Sequence, residues 1–293
     1  MGCPHCLSTE TQRRGTRNDR KRYHCTKCGK WFSVVISEEN ISDQIGEVEA
    51  GGILDYTFDT TIRVHGATDV HHGAQEHSYD HFNEFIEEVD ADPNARWFLN
   101  GDNIELIPPN YKISQRGQAM EPDDQHISFR KRIEKIADKL LFIRGGNHDF
   151  IRSVNILGMD ISKILADELQ VPYFKLPGYT RLQVKSKKWH LVSGHGRGGG
   201  KNGDLELDKM AAVYTDGDVY FLGHNHQLYA KPIDSITVSD DATPKEDLKR
   251  IWYCRGGSFL DYAEYARYSF FPMIRTGWVT MEFSDKKIRA WSN

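Results

Sequence analysis

The chain has 293 residues, 39% hydrophobic, 11% aromatic and 27% charged, with a mean hydropathy of -0.60. That is apolar material for one large domain or two ordinary ones, and too much for a disordered chain. No apolar run approaches the roughly eighteen residues of a membrane span, and the start, Met1 to Cys6, lacks the basic-then-apolar layout of a secretory signal. The expectation is a cytoplasmic protein without membrane contact.

A net charge of -4 conceals two opposed regions. Residues 1–34 hold eight Lys or Arg against two acids, a surplus of +6, whereas 35–60 hold seven acids and no base. Four of the five cysteines fall in the basic region, as Cys3-x2-Cys6 and Cys25-x2-Cys28 with eighteen residues between the pairs. Two such knuckles offer four thiolates to one ion, the spacing of a structural zinc site. A disulfide needs an oxidising compartment, and a redox Cys-x-x-Cys needs a βαβ setting that neither pair has.

Segment 1–36 is similar to the N-terminal zinc ribbon of some prokaryotic transposase-type proteins. The likeness lies in Cys3-Pro4-x-Cys6, the Arg22-Tyr23-x-Cys25 approach and Trp31-Phe32 after the second knuckle. It implies contact with DNA: positive charge meets phosphate in any sequence, and Tyr23, Trp31 and Phe32 can stack on bases. The same aromatics can instead form the ribbon's small core, the ribbon then being structural or a contact for a protein partner. Residues 37–60 follow as an acidic linker, with an edge strand at Gly52 to Phe58.

From residue 61 to 293 strands and helices alternate. Strands are predicted at Thr61–Ala67, Arg96–Leu99, Leu140–Arg144, Trp189–Ser193 and Val219–Leu222, and helices at His77–Asp90, Asp123–Lys139, Asp160–Leu169 and Leu205–Val213. Ile251–Cys254, Gly277–Phe283 and Ile288–Trp291 read as strands without intervening helices. The fold class is α/β with layered sheets.

Five of these strands run into metal-capable side chains: Asp69-Val-His71, Gly101-Asp102, Gly146-Asn147-His148-Asp149, Gly194-His195, and Gly223-His224-Asn225-His226. Ligands converge at one edge of an α/β sheet, and glycines there allow sharp bends. A lone Gly-Asp is usually a turn and a lone His-x-His a surface accident; five in this order, each after an apolar run, are hard to produce by chance.

In these elements the chain resembles the calcineurin-like metallophosphoesterase superfamily, within its nuclease and phosphodiesterase branch. The resemblance spans Asp69 to His226 and implies a four-layer α/β/β/α sandwich with two metals, preceded here by the ribbon. Carried onto this sequence, Asp69, His71 and His226 hold the first metal, Asn147, His195 and His224 the second, and Asp102 bridges them. His148 is then the histidine beside the scissile phosphate. Manganese comes first among the metals, with iron, zinc or magnesium as alternatives, since mixed nitrogen and oxygen donors disfavour calcium. Asp149 either orients His148 or caps a helix.

Other residues are read more plainly. His77 and His81, four apart on a polar helix face, are expected as a solvated pair, and His72 as either a neighbour of the ligands or an exposed loop residue. Arg197-Gly-Gly-Gly-Lys201 is a candidate phosphate-binding lip. Cys254 is expected to be buried, and the aromatic run 259–271 to pack in the core or to form a stacking rim or subunit contact. Protein phosphatases of the superfamily carry Gly-Asp-x-x-Asp-Arg-Gly, but here Glu105-Leu106 stands where Asp-Arg would. Losing the arginine that grips a monoester shifts the expectation to diesters, and the basic ribbon shifts it to DNA in bacterial or phage DNA metabolism. A phosphatase or small-molecule phosphodiesterase is the alternative.

Overall fold

The computed structural model describes residues 6, 8, 10–17, 20–35, 47–48, 52–108, 117–197, 202–238, 243, 245–261 and 275–293. The chain divides into two compact units, Met1–Ile45 and Gly46–Asn293, so the second takes in part of the acidic stretch expected as a linker. Among the described residues no helix is long and apolar enough to cross a membrane.

The first unit is a three-stranded antiparallel sheet of β1 (Thr11–Arg17), β2 (Arg20–Cys25) and β3 (Trp31–Val35). Between β2 and β3 the chain turns through Cys25 to Gly29, whose N–H donates to Cys25 O at 2.9 Å. Gly29 has φ +68° and thereby tolerates the left-handed turn.

In the second unit the strands are β4 (Glu47–Val48), β5 (Ile53–Phe58), β6 (Ile62–Ala67), β7 (Ala95–Asn100), β8 (Leu140–Arg144), β9 (Tyr173–Phe174), β10 (Gly178–Val184) and β11 (Lys187–Gly194). They continue as β12 (Val219–Leu222), β13 (Leu228–Val238), β14 (Glu246–Gly256), β15 (Val279–Phe283) and β16 (Ile288–Ser292). One sheet runs β16-β15-β6-β7-β8-β9-β4 and the other β13-β14-β12-β11-β10-β5. Helices α1 (Tyr79–Ala91), α2 (Pro122–Ile133) and, after the short α3 (Ser153–Leu157), α4 (Ile161–Leu169) pack on the first sheet, and α5 (Asp204–Val213) on the second. The result is the four-layer α/β/β/α sandwich.

Side-chain alternation builds three cores. On β7, Trp97 and Leu99 face Phe82, Phe85 and Phe129 of the helices, whereas Phe98 faces the other sheet and meets Phe142 and Phe221. The central strands are thus covered on both faces, which is why β6 to β8 read as nearly continuous apolar runs. On the outer face of the second sheet, Leu207 and Met210 of α5 cover Val192, Tyr220 and Leu222. Each fully buried large apolar side chain contributes about 1.5–3 kcal/mol.

Several expectations need revision. The helix expected over Asp123–Lys139 is α2 followed by a 3-10 helix, Glu134–Lys139. The strand expected at Ile251–Cys254 is the inner end of an eleven-residue strand paired with β13 in a hairpin. Its outer half is polar on both faces, so it carried no alternation to detect. His77 is not solvated: it is 5% exposed, with Nδ1 on Val70 O at 2.8 Å. His72 is buried against Ser128 Oγ, and His81 meets Ser78 Oγ. Cys254 and Phe259 are buried. Residues 262–271 of the aromatic run, residues 198–201 of the glycine-rich lip, and residues 37–46 and 49–51 of the linker lie outside the described residues.

Candidate functional site

All five motif segments leave the C-terminal ends of strands at one edge of the two sheets: β6, β7 and β8 in one, β11 and β12 in the other. Strand ends pointing the same way bring residues distant in sequence into one place. Asp69, His71 and His226 form one cluster, Asp102, His195 and His224 a second, and His71, Asp102 and His148 a third. Within each, one ligand atom per residue lies within 4.8 Å of the others, close enough to hold a metal ion.

The backbone is bent to achieve this. Asp69, His71, Asp102, His224 and His226 all have φ between 48° and 69°, a region that disfavours residues with a Cβ. Such strain persists only where surrounding contacts impose it. Glycines make room beside them. A Cβ on Gly146 would stand 2.2 Å from Asp102 Oδ1, and one on Gly223 2.0 Å from Thr68 Oγ1.

Hydrogen bonds select which atoms face inward. Asp69 Oδ2 accepts from Thr68 Oγ1 and from the His224 N–H, while Oδ1 is buried with no partner and lies 3.3 Å from His226 Nε2. His71 Nδ1 donates to Glu105 Oε2 at 2.8 Å, leaving Nε2 buried with no hydrogen-bond partner. His195 Nδ1 donates to Asn100 O, so Nε2 is the nitrogen that faces Asn147 Oδ1, at 3.1 Å. His224 Nδ1 approaches the same oxygen at 2.8 Å. Asp102 Oδ1 accepts from the His148 N–H, while Oδ2 lies 3.2 Å from His195 Nε2 and 4.0 Å from His71 Nε2.

Acceptors facing acceptors and orphaned buried atoms fit cations. Among the described residues, Asp69 and Asp102 have no Lys or Arg partner, and buried carboxylates need compensating charge. Without metal, imidazoles supply it. Burial pushes the Asp69 carboxyl up, but His195 and His226 outweigh burial and bring it to about 2. Asp102 falls well below the carboxylate range for the same reason, His195 contributing most. Burial disfavours the His195 imidazolium, yet Asp102 and Asp69 raise it to about 10. The donor set also fits: three carboxylate or amide side chains and four imidazoles suit manganese, iron or zinc.

His148 Nδ1 meets the Glu105 backbone oxygen at 2.7 Å, which requires that nitrogen to carry the proton. Its Nε2 points into the site, 4.0 Å from Asp102 Oδ2. Burial opposes its imidazolium, but Asp102 and Glu105 prevail and raise its pKa. Of the two roles expected for Asp149 the structure shows the capping one: in the first turn of Asn147–Arg152 it accepts the N–H of Gly146, which precedes that turn. Its carboxylate, pushed up by burial, receives the N–H groups of Gly146 and Asn103, tying two strand-end loops together.

Two residues escaped the motif reading. Glu105 holds His71 and flanks His148 Nδ1 at 3.5 Å; a carboxylate three positions after Asp102 in the same loop was the available signal. Arg152 donates to the Glu105 and Leu106 carbonyls and places Nη2 3.0 Å from His148 Nε2. It does so because Asn147–Arg152 forms one π-helical turn, which sequence periodicity does not foretell. Glu105→Ala is expected to weaken metal retention about 10- to 100-fold by freeing the His71 ring, measured by competition with a chelator.

In the smaller unit Cys6, Cys25 and Cys28 also lie within 4.8 Å of one another, with the Cys6 and Cys25 sulfurs 3.6 Å apart. The Cys28 backbone N–H is the main cause that brings the Cys25 thiol down to about 7, favouring the thiolate. Cys3, the fourth expected ligand, lies outside the described residues. The full chain is expected to hold one equivalent of zinc that a Cys25→Ser/Cys28→Ser variant loses and an Asp102→Ala variant retains. Metal analysis of the purified proteins measures this, and equal zinc in all three would remove the ribbon site.

No family model and no curated protein sequence matches the chain. Solved structures to which it is similar include Vps29 of Entamoeba histolytica complexed with zinc, at 11% identity and a TM-score of 0.41, covering 79% of this chain and 98% of that one. A predicted phosphoesterase of Streptococcus pneumoniae follows at 13% and 0.35, covering 80% and 98%. A metallophosphoesterase of Sphaerobacter thermophilus stands at 11% and 0.35, covering 79% and 88%. Likeness at this distance carries no argument about activity.

Proposed function

We propose that the chain is a two-metal phosphodiester hydrolase acting on DNA. The observation that carries this is Asp102 Oδ2, set between the Asp69/His71/His226 cluster and the Asn147/His195/His224 cluster, with His148 Nε2 at their edge. Two divalent cations held there would polarise a phosphoryl group and lower the pKa of an attacking water.

The chain's own residues supply the remainder. Asp102 offsets repulsion between the two cations. The Glu105 carbonyl keeps the proton on His148 Nδ1, so that Nε2 is the nitrogen that exchanges a proton with the leaving oxygen. Support for a diester comes from Leu106, where monoesterases of the resembled superfamily place arginine. Support for DNA comes from the +6 charge of residues 1–34.

One observation favours a second reading. Arg152 sets a guanidinium beside His148, and such a group would suit the extra charge of a phosphomonoester. The full-length protein with manganese, tested on labelled single- and double-stranded DNA beside a panel of mono- and diesters, decides between them. DNA cleavage supports the nuclease; brisk monoester hydrolysis with DNA left intact supports the phosphatase.

A further inference from the structure

A cavity of about 370 Å³ opens beside the site and shares His195, Gly196 and Gly146 with it. Its walls come from the π-helical turn, from residues 175–177 and from α5. Phe150, Leu176, Met210, Val213 and Tyr214 give it an apolar lining, and the exposed Lys175, Arg197 and Lys209 border it. Nothing in the hydrolysis of the phosphate itself calls for such a space.

Its parts are held in place. The Tyr214 hydroxyl donates to Pro177 O at 3.0 Å, fixing the ring across the gap between α5 and the 175–177 segment. Lys175 Nζ lies 6.0 Å from the Phe150 ring centroid. Glu206, the carboxylate of the lining, is committed to the Arg197 N–H and to Arg255. Arg144 at the base is buried and bound to Asn100 Oδ1, Ser193 Oγ and the Leu176 carbonyl. Lys175, Arg197 and Lys209 place three positive charges at the border of the cavity.

We propose that this cavity is a nucleoside subsite: it takes the base and sugar of the nucleotide whose phosphate lies at the Asn147/His195/His224 cluster. The proposal rests on the phosphodiesterase reading above and names the unit that site recognises. The volume falls at the lower end of small-ligand pockets, about 300–1,000 Å³, so a nucleoside has room and inorganic phosphate would leave the lining wet. Phe150 and Tyr214 offer aromatic surface for a base, and stacking of this kind tolerates any base. The cations distinguish a nucleotide chain from a phosphotyrosine peptide: a polynucleotide brings further phosphates to Lys175, Arg197 and Lys209, and a peptide brings none.

Calorimetric titration of the metal-loaded full chain tests this without relying on turnover. Thymidine 5′-monophosphate is expected to bind about tenfold more tightly than inorganic phosphate, the equivalent of one stacking contact, and a 5′-phosphorylated thymidine dinucleotide more tightly than O-phosphotyrosine. Val213, 74% exposed, stands at the cavity wall. Val213→Trp is expected to remove the nucleotide's advantage while leaving phosphate binding unchanged. Lys209→Glu should weaken a 5′-phosphorylated thymidine dinucleotide more than the mononucleotide. Phosphate and mononucleotide binding equally, phosphotyrosine matching the dinucleotide, or an advantage that survives Val213→Trp would each overturn the subsite. If diesters are hydrolysed all the same, the phosphodiesterase reading stands alone; if the loaded protein binds no phosphate at all, both fall.

Discussion

Asp102→Ala is expected to strip both metal clusters, whereas His148→Ala keeps the metals and loses turnover by roughly 10²- to 10⁴-fold, the range for a positioned proton donor. The difference follows from placement. Asp102 Oδ2 faces both clusters, and among the described residues no other carboxylate oxygen does. Its Oδ1 also receives the His148 N–H, so alanine frees the loop carrying Asn147 as well. Asp102→Asn preserves that hydrogen bond and removes the charge, separating loop support from metal affinity. The His148 ring reaches the site from outside the two ligand sets and donates to a backbone carbonyl. Metal content by elemental analysis, read beside turnover of a chromogenic diester, separates the variants. Loss of metal from His148→Ala equal to that from Asp102→Ala would place His148 among the ligands and undo the assignment.

Deleting residues 1–36 is expected to remove most of the salt sensitivity of DNA cleavage. With one zinc bound, four thiolates would reduce the +6 of residues 1–34 to about +4. With about four phosphates neutralised, affinity should fall roughly 10²-fold between 50 and 200 mM salt. Without the ribbon that dependence flattens and KM for long DNA rises at low salt, while hydrolysis of a small diester stays unchanged because the three Asp/His clusters lie wholly in the larger unit. Activity measured against salt for both proteins checks this. Identical curves on DNA would take the ribbon out of substrate binding.

Much of this molecule is written locally. The strands β6, β7, β8 and β12 are short apolar runs bounded by glycine or polar turns, and α1 and α4 carry periodic apolar faces. Those signals depend on neighbours a few residues away, and their order sets the α/β class and the edge where the motifs meet. The residues that gather there, from Asp69 to His226, were legible as a set because each follows a strand directly.

What sequence left open depends on contacts across the fold. His77 looked solvated because its helix face is polar, yet the 69–78 loop folds that face against Val70 and Phe82. Asp149 could have served His148 or a helix end; it serves the helix end through the Gly146 N–H, and the approach of the 101–106 loop adds the Asn103 N–H. Glu105 becomes the partner of His71 only because both lie in loops after adjacent parallel strands. The hairpin of β13 and β14 lacked alternation because most of it faces solvent on both sides. The cavity beside His195 has walls from five segments spread between residues 144 and 222. Composition and spacing determined the strands, the helices and the donors; packing between distant segments decided how the donors are held, which histidines are buried, and where a substrate finds room.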